Sequence, residues 1–203
     1  MHHYFAFYKP YGTLSQFINN GDGKRHHKLL GDWGQFPDGT MAIGRLDRDS
    51  EGLLLLTTDG SFSEKIRSKN CEKEYWVQVD GIPTSQQLAA LRAGIELSHK
   101  GECYQTRPAQ VQRIPVPELP ERGKAVRSDR HGVSSWLKII ITEGKFRQVR
   151  KMTAKVGFPT LRLFRVRVGD YEIGGLLAGE YRGIVLGQSK SQPKMPTTEP
   201  DPR

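Results

Sequence analysis

The sequence predicts an α+β chain, on three observations. Gly52 to Thr57 is a short run with an apolar centre, closed by the turn pair Asp59-Gly60, and reads as a buried strand. Lys73 to Asp80 alternates, with Tyr75, Val77 and Val79 on one face and Trp76, Gln78 and Asp80 on the other, the pattern of a strand with one buried side. Amphipathic stretches stand among such strands, the clearest being Lys145 to Gly157, a helix closed by its glycine.

In chain order, Tyr4-Phe5-Ala6-Phe7-Tyr8 is an aromatic-rich strand running into the turn Lys9-Pro10-Tyr11-Gly12. A polar turn, Asn19-Asn20-Gly21-Asp22-Gly23, precedes the basic cluster Lys24, Arg25, His26, His27 and Lys28. Its spacing is not that of a phosphate-binding loop, which excludes nucleotide hydrolysis and leaves a solvated loop or an RNA backbone contact. Phe62 and Ile66, four apart within Ser61 to Lys69, mark a short helix with Ser61 or Asp59 as cap. Gly81-Ile82-Pro83 ends the strand before it, and Thr84 with Gln87 forms a capping-box pattern ahead of Leu88, Leu91 and a helix through Arg92. From Ile95 the chain is extended again.

Residues 113–133 hold Pro115, Pro117 and Pro120 together with Arg113, Arg122, Lys124, Arg127 and Arg130, and show no periodicity. So long a loop is either a basic flap for RNA or plain surface. Ser135 to Thr142 is a strand with Leu137, Ile139 and Ile141 on one side. In the helix at 145–157, Phe146, Val149, Met152, Thr153 and Val156 share the apolar face. Arg147, Lys151 and Lys155 oppose it, and Arg150 sits at the border. Leu161 to Val168 is a basic strand carrying Arg162, Arg165 and Arg167, and residues 188–203 read as a disordered tail without apolar content.

Lys plus Arg total 31 against 22 acids, for a net charge of +9, and the pI is near 9.6. That excess favours a polyanionic partner: RNA, DNA or an anionic membrane. There is no signal-peptide pattern and no apolar run of about 18 residues, so a soluble, cytoplasmic protein is expected. Cys71 and Cys103 lack metal-ligand spacing, so no zinc site is expected, and they suit a reducing compartment.

The densest chemistry is at residues 43–60, where Arg45, Asp47, Arg48, Asp49 and Glu51 stand directly before the leucine run. Such charges are either a solvated connection or side chains held at the mouth of a cleft by rigid support. Gly44-Arg45-Leu46-Asp47, followed by Asp49-Ser50-Glu51-Gly52 and four leucines, resembles the signature of the ribosomal RNA pseudouridine synthases of the A, B, E and F types. Lys73-Glu74-Tyr75-Trp76-Val77 and Glu143-Gly144-Lys145-Phe146-Arg147-Gln148-Val149-Arg150-Lys151-Met152 resemble two further motifs of that family. The likeness runs from about residue 4 to residue 186. A strand beginning at residue 4 leaves no room for an S4-type RNA-binding domain, which makes the chain most similar to the E-type branch, whose members act on the large ribosomal RNA.

The resemblance implies a pseudouridine synthase fold: a mixed, mainly antiparallel sheet with flanking helices, in two lobes around a basic cleft, over a catalytic unit of residues 1–187. It implies isomerisation of uridine to pseudouridine in ribosomal RNA, large-subunit RNA first, by a monomer acting on neither DNA nor membrane and needing no cofactor or metal. Asp47 is the implied catalytic residue and Arg150 its partner, while Lys151 replaces the arginine usual at its place, keeping the charge without the planar fork. Tyr75 stacks on the target base and Leu163 lies beneath the uracil, although core packing is the favoured reading of both when the residues are read alone. Arg45, and Arg48 with it, hold the everted nucleotide.

Overall fold

In the computed structural model, residues 1–18, 27–68, 70–122, 124–126 and 132–186 are described. The expected turn at 19–23, Lys24, Arg25, His26, Arg127, Arg130 and the tail at 188–203 lie outside them.

The chain order is β1 (Tyr4–Lys9), β2 (Met41–Ala42), β3 (Glu51–Thr57), α1 (Gly60–Arg67), β4 (Lys73–Asp80) and α2 (Ser85–Ala93). There follow β5 (Glu96–His99), β6 (Glu102–Gln105), β7 (Gln110–Ile114), β8 (Ser134–Ile141), α3 (Gln148–Lys155), β9 (Thr160–Val168), β10 (Tyr171–Glu172) and β11 (Tyr181–Gly183). One nine-stranded sheet runs β11-β1-β3-β9-β4-β8-β7, with β2 added to β3 and β10 to β9, while β5 and β6 form a separate hairpin. Among the described residues every pairing is antiparallel except β3 with β9. The α+β class and the mainly antiparallel sheet are therefore as expected.

The exception is the central seam of the sheet. β3 and β9 meet only through Glu51 beside Phe164 and Gly52 beside Arg165. At Gly52 the backbone φ is +104°, and a Cβ would stand 2.3 Å from the Arg165 carbonyl oxygen and 2.7 Å from its nitrogen. Only glycine lets the two strands approach so closely.

β3 is buried along its whole length because both faces are covered. Leu53 and Leu55 pack with Ala6, Phe62 and Ile66, while Leu54 and Leu56 join Phe7, Val77, Leu91 and Leu137 in the main core. Asp59, not Ser61, caps α1, accepting from the amides of Ser61 and Phe62. The capping box of Thr84 and Gln87 is present in both directions at α2. β4 buries Tyr75, Val77 and Val79, as its alternation indicates. Among the described residues no helix is long and apolar enough to cross a membrane.

Three expectations are corrected. The helix expected from Lys145 starts at Gln148, because Arg147 takes a left-handed backbone conformation (φ 50°, ψ 33°) and the buried Gln148 side chain folds back to accept from the Lys145 amide at 3.1 Å. Phe146 therefore leaves the core and is 58% exposed. The segment from 113 is not wholly irregular: β7 runs through Arg113 and Ile114. Further along it, Arg122 stacks 3.7 Å over the Tyr11 ring and reaches Glu51 at 3.8 Å. Glu51 itself is no loop charge but the first residue of β3, 2% exposed.

Candidate active site

A cleft of about 990 Å³ is lined by Gly44 to Arg48 and Ser50, together with Tyr75, Glu143 to Val149, Leu163 and Arg165. The 44–50 loop is held firmly. Leu46 is buried in the main core, its amide donates to the Ser15 hydroxyl at 3.0 Å, and that hydroxyl donates to the Leu46 carbonyl at 2.7 Å. The Ser50 amide closes a turn onto the Asp47 carbonyl at 3.0 Å, and the Gly12 amide donates to the Arg48 carbonyl at 2.8 Å. With Leu46 turned inward, Asp47 faces the cleft from a backbone pinned at both ends.

Two carboxylates share the neighbouring arginines unequally. Arg147 donates to both Asp49 oxygens, Nη1 and Nη2 each at 2.8 Å. Its contact with Asp47 is longer, Nη1 lying 3.4 Å from Oδ2. The motif implies that Arg150 pairs with Asp47, but the two side chains make no direct contact. Its Nη2 donates to the Asp49 carbonyl at 2.7 Å and to the Ser50 hydroxyl at 3.3 Å. Its Nε lies 3.5 Å from Asp49 Oδ2 without forming a hydrogen bond. The physical reason is the shortened helix: the left-handed turn at Arg147 swings that side chain inward and gives it the carboxylates, leaving Arg150 to fasten the backbone one step further on.

Burial works against ionisation of Asp49, but the Arg147 hydrogen bonds and the charges of Arg150 and Arg147 prevail and hold its carboxyl below the usual range. The Asp49 hydrogen bonds raise the Arg147 guanidinium, whereas burial lowers that of Arg150. Beneath the loop, Lys9 is fully buried and donates to the Thr13 carbonyl at 2.8 Å and the Pro10 carbonyl at 3.0 Å. Burial brings its ammonium down to about 7, against the pull of Glu51, Asp49 and Asp47.

The opposite wall is apolar and aromatic. Tyr75 is 7% exposed and Leu163 is 5% exposed, and both belong to the main core yet line the cleft. They sit on adjacent strands, since Val77 pairs with Leu163 and Tyr75 with Arg165. Arg45 is exposed at the rim, donating to Gln16 Oε1 at 3.1 Å, and Arg48 is exposed with Nη1 3.4 Å from the His27 ring nitrogens. Neither Arg150 nor Lys151 is among the lining residues. Lys151 instead donates to the Ser98 carbonyl at 2.9 Å, tying α3 to the β5–β6 hairpin.

Arg147 and Lys9 are the site residues that sequence reading missed. The helical template placed Arg147 on a solvent face, and only the Glu143-Gly144 turn before it hinted that the helix begins later. Lys9 reads as an ordinary turn lysine, and nothing local marks it as buried. On β9, Arg162 outside the cleft lining and Arg165 within it are 8% and 5% exposed. Arg162 donates to both Glu51 oxygens at 3.0 Å, and Arg165 donates to the Leu53 carbonyl at 2.8 Å.

Residues 3–155 match the family described as RNA pseudouridylate synthase. The chain is 47% identical over 182 residues to the ribosomal large subunit pseudouridine synthase E of Vibrio parahaemolyticus serotype O3:K6, covering 89% of this chain and 73% of that protein. It is 46% identical over 171 residues to the protein of the same name from Xanthomonas axonopodis pv. citri, covering 83% of this chain and 86% of that one. A solved structure described as a crystal structure of pseudouridylate synthase superposes with a TM-score of 0.70 at 29% identity, covering 91% of this chain and 71% of the other. The motifs, the cleft and these likenesses agree: the chain belongs to the RNA pseudouridylate synthase family.

Proposed function

We propose that the protein converts a uridine of large-subunit ribosomal RNA to pseudouridine, acting as a cytoplasmic monomer. The observation that carries the reading is Asp47, on a pinned loop, lining the same cleft as Tyr75 and Leu163. The support for the substrate is the name and the 47% identity of the Vibrio relative. Absence of DNA from the partners follows from the same reading, since the reaction needs uridine.

The reaction breaks the N1–C1′ bond, turns the uracil and joins its C5 to C1′; the C5 proton is lost and N1 gains one, so no atom is added overall. Asp47 is the catalytic residue, its carboxylate either attacking carbon or removing a proton at the sugar. Tyr75 covers the base while it is detached, and stacking of this kind is worth about 1–3 kcal/mol. Leu163 gives the uracil an apolar floor. Arg45 and Arg48 grip the phosphates of a nucleotide that has been turned out of its stack. Arg150 and Lys151 act from behind the cleft, the first by holding the backbone after Asp47 and the second by holding the hairpin at its mouth.

Release of tritium from large-subunit RNA labelled at uracil C5 tests the assignment. Wild-type protein is expected to release it, and Asp47→Asn to release none while still binding the RNA. Equal release by both proteins would remove Asp47 from the reaction. No release by either would make the protein a binding factor on a catalytic fold.

A further inference from the structure

The large apolar side chains that stand open to solvent are Met1, Ile18, Met41, Ile82, Val116, Val133, Phe146, Leu177, Tyr181, Val185 and Leu186 among the described residues. Of these, Phe146 alone lines the cleft. We infer that Phe146, backed by His99, is a stacking site for a nucleobase of the RNA strand next to the everted uridine. The inference rests on the function proposed above and extends it to a second base.

The position of Phe146 is built rather than accidental. Arg147 turns inward through its left-handed backbone to reach Asp49 and Asp47, and the residue before it is thereby presented outward at the rim. The ring does not hang free: it lies 5.2 Å from the His99 ring, centroid to centroid, at an interplanar angle of 34°. His99 ends β5, and that hairpin is fastened to α3 by the bond from Lys151 to the Ser98 carbonyl. The platform is thus held from two elements, and one of its faces is already fixed by the imidazole.

Its electrostatics suit a nucleic acid. Lys151 Nζ stands 5.5 Å from the Phe146 centroid, and Lys145, the preceding residue, holds its ammonium 3.5 Å from the centroid of the Tyr104 ring. An exposed aromatic ring with one ammonium over it and another on the preceding residue suits the base and the phosphates of a nucleic acid, without regard to sequence. Phe146 is one residue from Arg147, which touches Asp47. A base seated on it therefore belongs to the same short stretch of strand as the target. Extruding a uridine costs its stacking on a neighbour, and the ring offers that neighbour a replacement surface.

The probe is a single-stranded oligouridine carrying one 2-aminopurine, bound to protein already made inactive by Asp47→Asn. The fluorescence of the purine should be quenched on binding. Phe146→Ala should abolish the quenching and weaken binding about tenfold, whereas Phe146→Trp should restore both. In otherwise wild-type protein, Phe146→Ala should raise KM for large-subunit RNA about tenfold and change kcat less than about threefold. Undiminished quenching and affinity in Phe146→Ala would overturn the inference. Quenching measured in the inactive protein does not depend on isomerisation. Absence of quenching in the Asp47→Asn protein that still carries Phe146, with tritium release by wild type intact, sinks this inference alone, and absence of tritium release by wild type with the quenching present sinks only the function.

Discussion

Arg147 gives Asp49 both ends of its guanidinium at 2.8 Å and leaves Asp47 a single contact at 3.4 Å. Two carboxylates two residues apart thus have different tasks: one absorbs the arginine, and the other keeps a side free for substrate. A forked pair of this geometry is among the stronger charge-assisted arrangements, and it fixes where the arginine can go.

Asp49→Asn is therefore expected to injure the reaction without touching the reacting groups. The amide ends the paired grip, and the nearest carboxylate left for Arg147 is Asp47. A small displacement of a reacting group costs about a hundredfold in rate. Kinetics should show kcat reduced about 10- to 100-fold with KM changed far less, and Asp49→Glu should recover part of the loss. Arg147→Lys, which keeps the charge but not the fork, should resemble Asp49→Asn. A fall in KM alone, with kcat untouched, would contradict the division of labour. The Asp49 carboxyl is held below its usual range, so its contribution to stability is present above the ordinary carboxylate value and is lost as pH falls through the lowered one. Acid unfolding should consequently be less steep in Asp49→Asn than in wild type.

Lys9 predicts a pH dependence of the same sign in a higher pH window. Its folded value is near 7 while an unfolded lysine stays protonated to about 10.4. Between those values the unfolded chain binds the extra proton, so this lysine makes stability rise with pH from about 7 upward, and the contribution is lost as pH falls through 7. A neutral amine still has two N–H groups, enough for the Pro10 and Thr13 carbonyls it serves. Urea denaturation at pH 6, 7.5 and 9 should show wild type gaining stability across the series, by an amount on the order of a few kcal/mol, relative to Lys9→Met. Parallel curves for the two proteins would mean that Lys9 stays charged.

What the sequence made legible is what repeats locally. β4 declares itself through Tyr75, Val77 and Val79, α2 through Thr84 and Gln87, and β3 through its leucines, because each pattern is complete within a few residues. The catalytic candidate was legible for a different reason: Asp47 stands in a motif shared with a known family. The partner of that acid was not. Arg147 and Asp49 are 98 positions apart, and a single left-handed residue decides which of two arginines reaches the carboxylates. The burial of Arg162 was equally hidden, since its compensating charge lies 111 positions away. One signal did exist: counting back by two from Leu55 and Leu53 places Glu51 on a buried face of the strand.

That buried pair supports a third prediction. Arg162 and Glu51 are nearly excluded from water, with side chains 9% and 3% exposed, and Arg162 also donates to the Pro120 carbonyl at 2.9 Å. Removing one charge strands the other where it cannot be hydrated. Glu51→Gln should lower stability by about 3–5 kcal/mol. The double variant Glu51→Gln, Arg162→Met should be less damaged than the sum of its single changes, because the stranded charge is gone. Additive losses in denaturant melts would show that the two side chains do not compensate each other.

The fourth prediction concerns the seam that gives the cleft its shape. An alanine at 52 keeps the apolar composition of β3 but puts a methyl group 2.3 Å from the Arg165 carbonyl oxygen, at a φ of +104° that L residues rarely adopt. Neither problem has a local remedy, since the obstructing atoms are backbone and β3 is fixed on its other side by β1 across six residue pairs. The strands must separate, and the two walls of the cleft separate with them. Gly52→Ala should cost about 3 kcal/mol or more, a drop in Tm of roughly 6–12 °C for a chain of this size. The control is Gly60→Ala at the start of α1, where nothing lies within 4 Å of the added methyl and Tm should hold. At a temperature where Gly52→Ala is still folded, tritium release should fall by more than tenfold, because Asp47 precedes β3 and Tyr75 lies on β4, on opposite sides of the β3–β9 seam. Normal release from a folded but less stable protein would mean that the seam serves stability alone.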